Sequence, residues 1–257
     1  MFKDEFTAVC NGAKGKLNLL NNNPVGYFIA SMVAGVFIAF GGFVMLSVGG
    51  HVGTTGGGKV VMAVSFAAAL SLVVMAGAEL FTGNNFVMAS AAYAGEVKWA
   101  DVVKLWVVCY IGNLVGSLLA AVMFHFTGLA TGAVGEVIAT VAAAKMGGTA
   151  LALFMKGIFC NVLVCLAVWC CTKMKTESGK LVMIFWCIFV FMICGFEHSI
   201  ANMSILAVGL LNAGDAAISI GGYFYNLLFV TIGNMIGGVF FVAGPYHIMT
   251  KSKSLQG

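Results

Sequence analysis

The sequence predicts an all-α membrane protein with six transmembrane helices in two inverted three-helix repeats, in which spans two and five are broken. Three observations support this fold class: an apolar composition, six long apolar stretches, and a short motif that occurs twice. Of the 257 residues, 61% are hydrophobic and 9% are charged, whereas soluble domains contain about 25% charged residues. This composition excludes an ordinary soluble domain.

Six apolar stretches are candidate spans, because about 20 apolar residues suffice to cross a bilayer. They cover residues 25–48, 60–92, 102–126, 149–172, 181–212 and 218–245. The second and fifth exceed one span by about a dozen residues, and both contain the repeated motif. Pro24 precedes the first stretch and Pro245 ends the sixth. We therefore expect glycine, rather than proline, to interrupt the two long stretches inside the membrane.

The repeated motif reads G-x-E-x-x-x-x-N and occurs at 77–84 and 195–202, which are 118 residues apart. A second matched pair, at 112–116 and 233–237, reads G-N-x-x-G with an offset of 121 residues. These glycines form small-x-x-x-small faces that favour close helix contact. The similar offsets indicate that about half of the chain is duplicated. Duplicated halves with a polar break in the same span are typical of a transport path.

The placement of lysine predicts the orientation. Ten lysines lie on one side of the predicted spans, and the other side has Lys59 and Lys145. The ten are Lys3, Lys14, Lys16, Lys98, Lys104, Lys173, Lys175, Lys180, Lys251 and Lys253. Because cytoplasmic loops carry the excess of lysine, we predict a multi-pass protein of the cell inner (cytoplasmic) membrane with both termini in the cytoplasm. With three spans per half, residues 149–247 would enter inverted relative to 24–126, within one domain that fills 1–257.

The charged residues and cysteines exclude several partners. All 13 basic residues are lysine, so no planar guanidinium is present to grip a carboxylate or phosphate at two points. No basic cluster indicates nucleic-acid binding. The eight cysteines lie mostly in apolar runs without C-x-x-C spacing, which is typical of buried structural thiols. We predict no metal and no cofactor.

Each motif places a glutamate, Glu79 or Glu197, inside an apolar stretch, where a charge costs several kcal/mol. Breaks at Gly77 and Gly195 would let loop backbone line a protected cavity. One interpretation of the glutamates is structural: each accepts hydrogen bonds from backbone N–H groups that the break leaves free. The other is proton relay or cation coordination. The residues assigned to the structure of the breaks are Gly77, Glu79, Asn84, Gly195, Glu197 and Asn202.

His198 differs from the other motif residues because its counterpart in the first half is Leu80. Imidazole titrates near pH 6.5 in water, so a modest perturbation lets it exchange a proton. A satisfied structural histidine is the alternative. Thr82 lies in the opposite break and could fix the ring tautomer through its hydroxyl group.

Three further polar residues have two interpretations each. Lys145 precedes span four and is either a solvated loop residue or a vestibule charge that draws anions inward. Lys156 lies about two turns into span four and faces either a vestibule or a subunit contact. Asn161 is either a path-side amide or a helix–helix bond. Apolar residues near the breaks are packing residues or a dewetted constriction: Phe66, Leu70, Leu80, Phe81 and Phe191.

These residues resemble the formate/nitrite transporter family, which also includes hydrosulfide channels, and the resemblance covers essentially the whole chain. Its most specific part is GFEHSIANM at 195–203, joined by AGAELFTG at 76–83. Lys145, Asn161 and His198 also follow each other at family-like intervals of 16 and 37 residues. The start MFKD, followed by the sequence NPVG, is similar to the nitrite-channel branch.

The resemblance implies an aquaporin-like six-helix protomer with its own pore, assembled as a homopentamer, and a mobile loop at 77–85. It implies a central polar set of Thr82, Lys145, Asn161 and His198. It also implies hydrophobic constrictions at Phe66, Leu70, Leu80, Phe81 and Phe191.

We therefore expect a channel or proton-coupled facilitator, and not an enzyme, for small monovalent anions of weak acids: formate, nitrite or hydrosulfide. Its flux would depend on pH, with proton exchange at the central histidine. A neutral-solute channel of the water or glycerol type is the alternative, but its paired Asn-Pro-Ala loops and pore arginine are absent. An intramembrane metalloenzyme would need ligand spacing that the chain lacks, since Glu197 and His198 are adjacent.

Overall fold

The computed structural model describes residues 2–212 and 217–251, and within these ranges all of the regular secondary structure is helical. The α-helices are α1 (Lys3–Asn22), α2 (Pro24–Val52), α3 (Gly57–Phe66), α4 (Ala68–Ala76), α5 (Phe81–Tyr93), α6 (Trp99–Phe126), α7 (Gly132–Met146), α8 (Ala150–Lys173), α9 (Glu177–Cys194), α10 (Ser199–Leu211), α11 (Ile220–Gly238) and α12 (Gly244–Thr250). A π-helical turn, Val239–Ala243, joins α11 to α12.

Six segments in the described ranges are long and apolar enough to cross a membrane. They are Pro24–Val52, Gly57–Ala76, Trp99–Phe126, Ala150–Lys173, Glu177–Cys194 and Ile220–Thr250. The second of these contains α3 and α4, and the sixth contains α11, the π-helical turn and α12. The chain is therefore a multi-pass membrane protein, as its apolar stretches predicted.

Two glycines end helices inside the long stretches. Gly77 follows α4 with φ of 80°, and Gly195 follows α9 with φ of 74°. This left-handed region favours glycine, because a side chain there would be strained. Helices α5 and α10 begin four residues after these glycines, at Phe81 and Ser199.

Helices α5 and α10 lie at the centre of the protein. Every residue from Phe81 to Ala91 and from Ser199 to Gly209 is buried. The longer helices around them each leave one face exposed, as expected for a surface in contact with lipid or another subunit. Because α5 and α10 are enclosed on all sides, the residues that precede them lie in the interior.

Small residues bring the surrounding helices close together. A Cβ atom added to Gly116 in α6 would overlap the carbonyl oxygen of Met32 in α2. A Cβ atom added to Gly237 in α11 would overlap the carbonyl oxygen of Ile158 in α8. The predicted small-x-x-x-small faces thus contact the main chain of a neighbouring helix in both halves.

Three features differ from the sequence analysis. Residues 1–23 suggested no element, yet α1 places Phe6, Val9, Cys10 and Ala13 in the core at helical spacing. Helix α7 was also not predicted. The sixth span does not end at Pro245, because a proline at the start of α12 needs no backbone donor there. Lys253, one of the ten lysines used for orientation, lies outside the described residues.

Candidate functional site

His198 caps the start of α10 and contacts the other half of the chain. Its Nδ1 accepts a hydrogen bond from the Ala201 N–H at 3.1 Å, and its Nε2 lies 3.0 Å from Thr82 Oγ1. Because a backbone N–H can only donate, Nδ1 is unprotonated, and the neutral ring carries its proton on Nε2. Nε2 therefore donates to the Thr82 hydroxyl, and the Ala201 N–H, rather than Thr82 as the sequence analysis suggested, fixes the tautomer. The ring is buried, with 3% exposed.

The two motif glutamates form matching ion pairs. Glu79 Oε1 lies 2.7 Å from Lys16 Nζ, and Glu197 Oε2 lies 2.7 Å from Lys145 Nζ. The side chains of Asn84 and Asn202, which end the two motifs, donate to the same carboxylates at 3.0 and 2.7 Å. We expected backbone N–H donors, and that expectation is wrong: within the described residues, the donors to both carboxylates are side chains.

The backbone groups freed by the breaks are instead satisfied by two asparagines of the G-N-x-x-G segments. Asn113 Oδ1 accepts from the Phe81 N–H, and its Nδ2 donates to the Glu79 carbonyl. Asn234 does the same for the Ser199 N–H and the Glu197 carbonyl. Each asparagine also donates to a neighbouring span, at the carbonyl of Ser31 or of Gly157. The repeated G-N dipeptide was the signal for this role, but the sequence analysis used only its glycines.

Asn161 lies next to Thr82 and Asn234 and lines neither of the two cavities described below. It is fully buried, and its Nδ2 lies 3.2 Å from the Thr82 carbonyl, 2.7 Å from the Asn234 carbonyl and 3.2 Å from Asn85 Oδ1. The geometry thus favours the helix–helix interpretation of this residue. Asn161 holds the main chain of Thr82, and hence the residue that contacts His198.

Two cavities approach the His198–Thr82 contact, and they share no lining residue. The first, here called the His198 cavity, has a volume of about 360 Å³ and is lined by His198 and Glu197. The second, the Lys16 cavity, has a volume of about 400 Å³ and is lined by Lys16 and Glu79. Each cavity therefore contains one of the two motif ion pairs.

Apolar side chains separate the cavities. Phe66 and Phe191 line the His198 cavity, and the Phe191 ring stacks on the His198 ring with centroids 6.1 Å apart. Leu70 and Leu80 line the Lys16 cavity. Phe66 ends α3 and Leu70 lies in the first turn of α4, so neighbouring apolar residues of one segment line the two cavities.

Phe81 was expected at a constriction, but it lines neither cavity. Its ring contacts α6 instead, with a centroid separation of 4.9 Å from the Tyr110 ring. Phe81 is therefore a packing residue here.

Lysine is distributed unequally between the cavities. The His198 cavity is lined by Lys59, Lys145 and Lys156, and the Lys16 cavity has Lys16 alone. Lys145 lies in the last turn of α7 rather than in a loop. Lys156 lies in α8 and lines the His198 cavity, which favours the vestibule interpretation of this residue. Within residues 2–212 and 217–251, no cluster of three or more His, Cys, Asp or Glu side chains could hold a metal.

Comparison with known proteins places these features in a family. The family model described as formate/nitrite transporter matches residues 3–248. The chain is 34% identical to the nitrite transporter NirC of Escherichia coli (strain K12) over 256 residues, which covers 97% of this chain and 93% of that protein.

Two solved structures are also similar. One, described as an FNT family ion channel, superposes with a TM-score of 0.92 at 32% identity and covers 97% of this chain and 100% of that one. The other, described as a pentameric formate channel with formate bound, has a TM-score of 0.75 at 29% identity and covers 88% of this chain and 96% of that one.

Proposed function

The chain belongs to the formate/nitrite transporter family, and we propose that it passes small monovalent anions of weak acids across the membrane. Nitrite and formate are the first candidates, because relatives named for them cover most of this chain. Hydrosulfide is a third anion of the same class. Family membership supports transport rather than catalysis as the activity.

The observation that carries this proposal is a pair of cavities, one lined by His198 and the other by Leu80 and Gly83, which flank Thr82 in the region of its buried contact with His198. The His198 cavity reaches Phe66, Phe191 and His198, and the Lys16 cavity reaches Leu70 and Leu80. Bare ions cross a dewetted apolar constriction poorly. A small neutral molecule that can accept or donate one hydrogen bond crosses it far more easily. A weak acid offers such a neutral form.

Desolvation is the step that would convert the anion to this form. Lysine charge draws the anion into a cavity whose walls are mostly apolar. As the anion loses water, its charged form is destabilised, so its own pKa rises. The protonated acid can then pass the four apolar residues, hydrogen-bonded by the groups at the centre.

We propose that His198 serves this passage as a hydrogen-bond donor through Nε2, and that water supplies the proton. The Ala201 N–H points at Nδ1, so a second proton on the ring would face another donor and break the cap of α10. Proton exchange at His198 would therefore need this cap to open. A neutral ring needs no such change, and Nε2 is free to switch between Thr82 and a passing acid.

Flux assays in proteoliposomes test the proposal. We expect saturable, protein-dependent fluxes of nitrite and formate that increase as the pH is lowered, because the neutral form becomes more abundant. Water and glycerol permeability, measured by light scattering, should stay at the level of protein-free vesicles. Glycerol conduction without anion flux would overturn the proposal and support a neutral-solute channel.

We also propose that residues 24–126 and 149–247 are inverted repeats within a single channel domain. The matched ion pairs and asparagine bonds support this. The Tyr110 hydroxyl lies 3.0 Å from Thr231 Oγ1, and the two residues are separated by the same 121 residues as the G-N-x-x-G segments. A contact between equivalent positions is expected on a two-fold axis that relates the halves.

The oligomeric assembly and the membrane location are two further proposals. We propose a homopentamer, because the chain superposes on a formate channel described as pentameric. Exposed apolar side chains on the long helices, such as Val107, Ile111 and Phe224, provide surfaces for lipid and subunit contacts. The distribution of lysine supports a location in the cytoplasmic membrane, with both termini in the cytoplasm. Native mass spectrometry and terminal protease accessibility test these two statements.

A further inference from the structure

We propose that Lys156 is the cation that holds the anion in the His198 cavity, and that Lys145 instead neutralises Glu197. The proposal rests on the function proposed above and names the binding residue on one side of the path. It assigns Lys59, at the start of α3, to recruitment of the anion at the same cavity.

Lys145 is already engaged by the protein. Its Nζ contacts Glu197 Oε2 at 2.7 Å, and only 18% of its side chain and 7% of the Glu197 side chain are exposed. Asn202 donates to the same carboxylate oxygen and also to Asn226 Oδ1, and Asn226 Nδ2 donates to the Lys145 carbonyl at 2.8 Å. This closed set of bonds fixes both ends of Lys145. The Glu197 carboxylate offsets the charge of Lys145, and within the described residues no other cation contacts that carboxylate.

Lys156 is different in each of these respects. It is exposed, it lines the same cavity, and within residues 2–212 and 217–251 no carboxylate oxygen lies within 4.0 Å of its Nζ. Its carbonyl accepts the Glu197 N–H at 3.3 Å, which places Lys156 at the level of the break rather than at the membrane surface. An 18-residue window of α8 has a mean hydropathy of 2.3.

An ammonium group in such a helix needs water and a counter-ion. The protein supplies no fixed counter-ion in the described part, so a mobile anion has to provide it. The His198 cavity has three lysines and one glutamate, whereas the Lys16 cavity has one of each. The excess of positive charge therefore lies on one side of the path. We infer that anions accumulate in the His198 cavity and occupy it close to Lys156.

The test uses Lys156→Gln in proteoliposomes with the anion supplied to the His198 side. Focused charge raises a local ion concentration by at least about tenfold. We expect the apparent KM for nitrite or formate to rise about tenfold, with the maximal flux nearly unchanged. The dependence of KM on ionic strength should weaken, because the charge that salt screens is gone. Lys156→Met provides a second neutral side chain in case the first variant fails to assemble.

Two matched variants separate charge from packing. Lys156→Arg keeps the charge and should keep a KM close to that of the wild type. Lys175→Gln removes an exposed lysine that lines neither cavity and should leave KM unchanged. An unaltered KM in Lys156→Gln, or an equal rise in Lys156→Arg, would overturn the role of Lys156 while wild-type flux still supports the transport function. Absence of wild-type flux would instead refute the proposed function itself.

Discussion

The two halves of the chain hold their central helices with the same bonds and differ at the residue that starts each helix. In both halves a glutamate is paired with a lysine, and an asparagine from the third span satisfies the first backbone N–H of the helix. At the residue before α5 the first half has Leu80, without a side-chain cap, whereas the second half has the capping His198. The shared features build the interior, and the difference provides its chemistry.

The lysines show a second difference. Lys16 comes from α1, which precedes the first repeat, and Lys145 comes from α7, which lies between the two repeats. Neither lysine belongs to the duplicated helices, yet both reach the same position on a motif glutamate.

The largest expected effect is that of Asn113→Leu or Asn234→Leu, which tests whether the halves are structurally equivalent. Each change leaves an N–H and two carbonyl groups without their partner. Unsatisfied buried groups cost about 1–3 kcal/mol each, so the free energy of unfolding should fall by about 3–9 kcal/mol in either variant. An SDS titration in mixed micelles, with size-exclusion chromatography, measures this loss.

Asn22→Leu is the control, because the exposed Asn22 bonds only to the side chain of Asn18. Its stability should match that of the wild type. If one of the two buried asparagines proved dispensable while the other did not, the structural equivalence of the halves would be refuted.

Lys145→Gln and Lys16→Gln sharpen the comparison of the ion pairs. Removing one partner leaves an uncompensated carboxylate, which costs about 3–5 kcal/mol when fully buried. Glu197 is 7% exposed and Glu79 is 13% exposed. We expect a loss of about 3 kcal/mol for Lys145→Gln and a smaller loss, about 1–2 kcal/mol, for Lys16→Gln.

The same titration measures both losses, and a second change on each background isolates the pair. Adding Glu197→Gln to Lys145→Gln should restore most of the stability, since the stranded charge is then removed. No recovery would mean that Lys145 stabilises the protein through packing rather than through charge.

His198→Phe and His198→Asn replace the residue at which the two halves differ. Asparagine can still accept a hydrogen bond from the Ala201 N–H and cap α10, whereas phenylalanine cannot. The free energy of unfolding should therefore be about 0.5–2 kcal/mol lower for His198→Phe than for His198→Asn. Both variants lose the Nε2 donor at Thr82. We expect both to assemble and to pass nitrite and formate more slowly at every pH in proteoliposomes, while flux still rises as the pH is lowered, because the proton comes from water.

Wild-type flux in His198→Asn would reject a role for the imidazole in permeation and leave only the cap, and a loss of the pH dependence would instead indicate proton exchange at the ring. Wild-type stability in His198→Phe would show that the cap contributes nothing measurable. The two readouts therefore separate the structural interpretation of this residue from the functional one.

The fold was largely predictable because its signals are local. Stretches of 20 or more apolar residues identified the spans, and Gly77 and Gly195 identified the ends of α4 and α9. Helix α1 escaped prediction because polar residues and glycine interrupt its apolar residues, and because Phe6, Val9 and Ala13 are buried through contacts with other helices, among them α5 and α2. Amphipathic helices that depend on such packing have weak signals of their own.

The site was predictable only where the two motifs supplied it. The contact between Thr82 and His198 could be suggested because both residues belong to the repeated motifs, although Thr82 lies in the first turn of α5 rather than in the break. The pairing of Lys16 with Glu79 joins residues 63 positions apart on unrelated elements, and nothing in the spacing indicates it. The same holds for Asn226, which fixes the Lys145 carbonyl from α11. Phe81 was assigned to a constriction because it flanks the break. Residue type alone does not show in which direction its side chain points at the start of α5.

The smallest expected effect is that of Thr231→Val, which tests the proposed two-fold relation at the point where the halves meet. Thr231 and Tyr110 are partly buried and share one hydrogen bond at 3.0 Å. Valine keeps the shape and loses the bond, so the free energy of unfolding should fall by about 1 kcal/mol, and Tyr110→Phe should lose the same amount. The double variant distinguishes two outcomes. If the bond joins the halves, the double variant should lose as much unfolding free energy as either single variant, because all three lack the same one interaction. Additive losses would mean that each side chain acts within its own half, and the contact between equivalent positions would then say nothing about the relation of the repeats.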